Sequence, residues 1–133
     1  RVPPQPLSQF SLANAEEKNT EEHDFSQRVK AYLLSQYHRP ITLEQVARAV
    51  GCSPAHLCRR FRELTGVTPF QFLREVRIEA AKRLLNSEMP ITRIAEMVGF
   101  ENPLYFSKVF TKQIGESPQK FRLGMKAAKQ SKA

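Results

Sequence analysis

The chain has 133 residues, 41% hydrophobic and 26% charged, with a formal net charge of +8. That length fits one or two small modules with a modest core; no stretch approaches the roughly 18 apolar residues of a membrane span, and no signal-peptide core opens the chain. The charge is uneven: residues 1–24 hold two basic and five acidic side chains, net −3, so the remaining 109 residues carry +11 and point to a polyanionic partner, for which phosphate neutralisation with counterion release is the natural chemistry.

The chain starts at Arg1 rather than Met, as expected of a fragment or processed form that lacks an upstream region. Residues 1–23 mix prolines, polar residues and acids without apolar periodicity and read as a disordered linker or tail. Asp24 with Gln27 at N3 then predicts a helix over 24–38, striped by Phe25, Val29, Leu33 and Tyr37 and stopped by Pro40.

Thr42 to Gln45 form a capping box, and Leu43, Val46, Ala47 and Val50 stripe a short helix that ends at Gly51. A second capped helix starts at Ser53. A short helix, a turn around glycine and a new capped helix is the signature of a helix-turn-helix, here over 42–64, and Ala47 is small enough to let the two helices cross closely. Thr68 with Gln71, and Pro69 at N1, open a connecting helix over 69–86 striped by Leu73, Val76, Ala80 and Leu84. At about 1.5 Å per residue it is about 27 Å long, enough to hold two reading helices near the roughly 34 Å of one DNA turn. Ile91, Ile94, Ala95 and Val98, then Gly99 and Asn102-Pro103, rebuild the same pattern as a second helix-turn-helix over 91–114.

The repeat is close. Ser53-Pro54, Gly66 and Thr68-Pro69 recur as Asn102-Pro103, Gly115 and Ser117-Pro118, and Leu57 and Phe61 match Phe106 and Phe110. Ser117-Pro118 caps a short final helix bearing Phe121, before a basic tail over 125–133. The fold class is all-α, with two helix-turn-helix units joined by a long central helix.

Each unit's second helix has one packed and one outward face. In the first, Leu57, Phe61 and Leu64 point inward, leaving Ala55, Cys58, Arg59 and Arg62 as an outward stripe. Small residues let such a helix approach base edges, and arginine offers the donor fork that matches guanine O6 and N7. In the second, Phe106, Val109 and Phe110 point inward and Leu104, Ser107, Lys108 and Thr111 outward. Leu104 suits a thymine methyl, Ser107 a base or phosphate, and Lys108 a guanine or phosphate. The arginines make the first helix the stronger discriminator. Arg60 reads as a phosphate contact or a surface charge, Arg74, Arg77, Lys82 and Arg83 as solvated charges or phosphate contacts, and His56 as a surface or capping histidine.

Catalysis and metal binding find no support. Cys52 and Cys58 flank His56 without further ligands at zinc spacing, and the three histidines form no nucleophile–base pair. No cofactor, metal or catalytic residue is expected, and two thiols without secretion signals suit a reducing cytoplasm. The alternative to DNA binding is a basic helical module that engages an acidic protein.

Across about 24–124 the chain resembles the DNA-binding domain of the AraC/XylS family of bacterial transcription regulators. The resemblance rests on ITLEQVARAVGCSPAHLCRRFRELTGVTPFQFLREVRIEAAKRLL and PITRIAEMVGFENPLYFSKVFTKQIGESPQKFR, including Ile94-Ala95, Gly99-Phe100, Phe106, Phe110, Gly115, Pro118 and Phe121-Arg122. It implies seven helices and a single, monomeric chain with both reading helices in successive major grooves of duplex DNA. Family base readers match Ala55, Cys58 and Arg59, and Leu104, Ser107 and Lys108; many members carry a longer polar or aromatic side chain where this chain has Ala55 and Cys58. It further implies transcription activation through RNA polymerase in a cytoplasmic, nucleoid-associated protein, and an effector-binding or receiver domain upstream.

Overall fold

The structure, a computed structural model, describes the backbone over 4–132 and side chains over 20–128. Among the described residues it is entirely helical: α1 (Pro4–Gln36), α2 (Leu43–Val50), α3 (Pro54–Thr65), α4 (Pro69–Leu84), α5 (Ile91–Met97), α6 (Pro103–Ile114) and α7 (Pro118–Lys132). They divide into two compact units. The first takes α1 up to Tyr32 together with Leu43–Pro69; the second takes Leu33–Thr42 and the chain from Phe70 onward.

Helix α1 begins at Pro4, not at Asp24, so the expected linker is helical from there and Asp24 lies inside a helix instead of capping one. The physical reason is local. Proline is tolerated in a first turn, and between Pro6 and Pro40 the chain contains neither proline nor glycine but many alanine, glutamate, leucine and glutamine residues. The helix ends at Gln36, whose carbonyl accepts from the Arg39 N–H at 3.2 Å immediately before Pro40.

In the first unit, Val29 of α1, Val46, Ala47 and Val50 of α2, and Leu57 and Phe61 of α3 are buried. The predicted Leu64 is half-buried. At the turn, Gly51 sits at φ +77°; its N–H donates to Arg48 O at 3.2 Å and the Cys52 N–H to Ala47 O at 3.0 Å. This pairing is a Schellman motif, closed by backbone alone. Arg28 adds a clasp from α1, its Nη1 donating to Val50 O at 3.3 Å.

The second unit has the same turn. The Gly99 N–H donates to Glu96 O at 3.1 Å and the Phe100 N–H to Ala95 O at 2.9 Å. Its core joins Ile78, Ala80, Ala81 and Leu85 to Ile94, Ala95, Val98 and the rings of Phe100, Phe106 and Phe110, with Phe121 and Met125 packed against it. The α4 stripe is therefore wider than Leu73, Val76, Ala80 and Leu84: Ile78 and Ala81, with Leu85 just past its end, are buried, whereas Val76 and Leu84 are half-buried. Rather than a bare connector, α4 is part of this unit's core. Its Arg77 is no solvated charge: Nε donates to Tyr37 O at 2.8 Å and Nη2 to Arg39 O at 3.1 Å. Burial lowers the Arg77 pKa, with Glu101 opposing.

Helix α7 outruns the short helix expected, because its apolar and charged contacts continue past Phe121. Met125 packs on the core and Lys126 Nζ meets Glu88 at 3.0 Å, so neither belongs to a tail. Arg122 ties α7 down by donating from Nε to Leu85 O at 3.1 Å and from Nη2 to Met89 O at 2.5 Å.

Candidate nucleic-acid interface

Helix α3 is positioned by its ends. Ser53 is extended, and its Oγ accepts from the His56 N–H at 3.2 Å while Pro54 fills the first helical position. At the other end Gly66, at φ +85°, donates its N–H to Arg62 O at 2.8 Å. With Leu57 and Phe61 buried, the outward side carries Ala55, Arg59 and Arg62 exposed and Cys58 half-buried. The four predicted residues of this helix thus share one accessible face.

Two neighbours of that face differ from expectation. Arg60 forms an ion pair with Glu22 of α1 and another with Glu63 at 3.3 Å. The Glu22 contact, then Glu63, raises its already high pKa, so Arg60 fastens α3 to α1 instead of waiting for a phosphate. His56 is not a bystander. Its Nδ1 lies 3.3 Å from Arg59 Nη2, and its ring stands edge-on to Phe25 with centroids 5.8 Å apart. The three-residue spacing of His56 and Arg59 was the available sequence signal for this contact. Burial raises the Cys52 thiol pKa against the opposing charge of Arg28.

Helix α6 repeats the construction. Asn102 Oδ1 accepts from the Leu104 N–H at 2.8 Å and the Tyr105 N–H at 3.3 Å, and Gly115, at φ +99°, donates to Thr111 O at 2.8 Å. Phe106 and Phe110 are fully buried and Val109 packs against the core. Leu104 is 81% exposed; Lys108 and Thr111 are exposed and Ser107 is half-buried. Thr111 Oγ1 donates to Ser107 O at 2.7 Å, which commits its proton and leaves oxygen lone pairs and a methyl group for a ligand. The outward-face pattern passes over Tyr105, yet it is 49% exposed beside Leu104 with its ring 6.0 Å from Phe100.

Each helix therefore presents a face suited to a groove edge: small residues and guanidinium groups on α3, an apolar tip followed by hydroxyls and an ammonium on α6. Among the described residues no three His, Cys, Asp or Glu side chains gather as metal ligands would, and no helix is long and apolar enough to cross a membrane.

Residues 46–124 match a helix-turn-helix domain family. The chain is 32% identical over 117 residues to the Msm operon regulatory protein of Streptococcus mutans, covering 87% of this chain and 42% of that protein. It is 35% identical over 123 residues to the transcriptional activator RhaR of Klebsiella pneumoniae, covering 92% and 44%. Among solved structures, the DNA-binding domain of AdpA, in complex with a target DNA, superposes with a TM-score of 0.73 at 33% identity, covering 77% of this chain and 94% of that one. The chain thus spans less than half the length of these two regulators.

Proposed function

The chain belongs to the AraC/XylS family of helix-turn-helix transcription regulators, and on that footing we propose that it binds duplex DNA at specific sequences to activate bacterial transcription. One observation carries the reading: Arg59 and Arg62 stand exposed on the side of α3 opposite the buried Leu57 and Phe61. This is the arrangement a major-groove helix needs to offer donor forks to guanine. Ala55 and Cys58 keep the face low enough for close approach. On α6, Leu104 meets a thymine methyl, Ser107 bonds a base edge or a phosphate, Thr111 accepts from a base-edge donor, and Lys108 takes a guanine or a phosphate. With two guanidinium groups against one ammonium, α3 supplies more base discrimination than α6.

The likeness to a domain solved on its target DNA and to the transcriptional activator RhaR supports this direction. Contact with RNA polymerase, a cytoplasmic nucleoid location and a non-enzymatic role that needs no cofactor belong to the same reading. Selection from a random duplex pool tests it and should return a bipartite motif. Arg59→Ala should relax the motif at one base pair, at a cost of about 1–3 kcal/mol. A uniform weakening at every sequence would move Arg59 to the phosphate class, and no enriched motif at all would favour a protein-interaction module.

A further inference from the structure

Arg59 Nη2 lies 3.3 Å from His56 Nδ1, and the chemistry of the two groups fixes the direction of that hydrogen bond. A guanidinium has only donors, so Arg59 donates and Nδ1 accepts. Nδ1 must then hold a lone pair, which places the ring proton on Nε2. The bond uses one of the five guanidinium N–H groups and leaves a pair for a guanine edge.

His56 is itself anchored twice. Its backbone N–H donates to Ser53 Oγ at 3.2 Å, and its ring rests edge-on against Phe25 with an interplanar angle of 71°. An exposed arginine otherwise samples many rotamers and loses that freedom when it binds. Here part of the loss is already incurred before DNA arrives, which favours the one orientation in which the fork is presented.

We propose that His56 is a positioning residue for base readout: its neutral ring holds the Arg59 guanidinium in place, and protonation of the ring releases it. The inference rests on Arg59 being a base reader. A protonated imidazole cannot accept at Nδ1 and repels the guanidinium, and histidine side chains ordinarily gain that proton between about pH 8 and pH 5. The charged groups facing His56 are Glu21, Glu22, Asp24 and Arg28 of α1 and Arg59 and Arg60 of α3. Glu22 and Arg60 engage each other.

The experiment compares affinity for the selected duplex with affinity for one altered at the base pair that Arg59→Ala relaxes, at about pH 8 and about pH 5.5. Discrimination by the unmodified protein should fall about 3- to 10-fold on acidification, the size of one net hydrogen bond, while discrimination at a pair read by α6 holds. His56→Phe keeps a ring against Phe25 without an acceptor and should discriminate weakly at both pH values. His56→Gln offers an acceptor that does not titrate and should discriminate at both. Discrimination that is flat with pH in the unmodified protein, a measurement that needs no variant, overturns the proposal. So does His56→Phe matching the unmodified protein at the higher pH. If Arg59→Ala relaxes no base pair, the reading of Arg59 fails first, an outcome distinct from either of these.

Discussion

Leu104 exposes 81% of its surface two residues before the fully buried Phe106. A large aliphatic side chain held in water at the start of a capped helix gains most from an apolar ligand atom, and the C5 methyl of thymine is the one the major groove offers. Replacing a single thymine by uracil under α6 removes that methyl and nothing else. The loss should be about fourfold, the transfer free energy of one methyl group, and the same replacement should cost Leu104→Ala almost nothing in binding assays. Equal sensitivity in the two proteins would remove Leu104 from methyl readout. At this scale the sequence located side chains on faces but not their partners. Arg60 and Arg77 look like any exposed arginine on a helix; Glu22 and the Tyr37 carbonyl that engage them lie far away in sequence. No local pattern contains those contacts.

The helix-turn-helix elements were legible because their signals are local: Ser53 and Asn102 cap, Gly66 and Gly115 close, and all four do so in the structure. Less legible was the part played by α4, which buries a broader arc than one four-residue stripe. Arg28 and Arg77 lie 49 residues apart, the same interval as Pro54 and Pro103, but their partners are not equivalent: Arg28 donates to Val50 O in the helix that follows it, Arg77 to Tyr37 O and Arg39 O in the segment that precedes it. The turns, though alike, are not equally tolerant. A Cβ at Gly51 meets nothing within 4 Å, whereas one at Gly99 comes within 2.7 Å of Arg77 Nε and closer still to Tyr37 O. Gly51→Ala should therefore cost only the left-handed strain, about 1–2 kcal/mol. Gly99→Ala adds displacement of the Arg77 clasp and should cost about 3 kcal/mol or more. Urea unfolding of both variants decides the order; equal losses would contradict it.

Across the molecule, the count of 21 lysines and arginines overstates the cations free to meet DNA. Arg60, Lys82, Arg93 and Lys126 are ion-paired, and Arg28, Arg77 and Arg122 donate to carbonyls. Each phosphate neutralised adds about −0.9 to the slope of log K against log salt. Lys108→Ala should reduce the magnitude of that slope by about 1 if Lys108 meets a phosphate, and Arg60→Gln should leave it unchanged. A salt-insensitive affinity with no sequence preference would instead favour a protein-interaction module. Composition alone revealed the sign of the charge; which cations were already committed needed the contacts between helices.

The caps, the Schellman turns and the arginine clasps hold each unit together without drawing on the side chains of Ala55, Cys58, Arg62, Leu104 or Lys108. Scaffold and lettering are separate sets of residues. On the proposed reading, substitutions on the two helix faces rewrite operator preference while the melting temperature stays nearly constant. Arg59 is the exception, since changing it also leaves His56 without its donor.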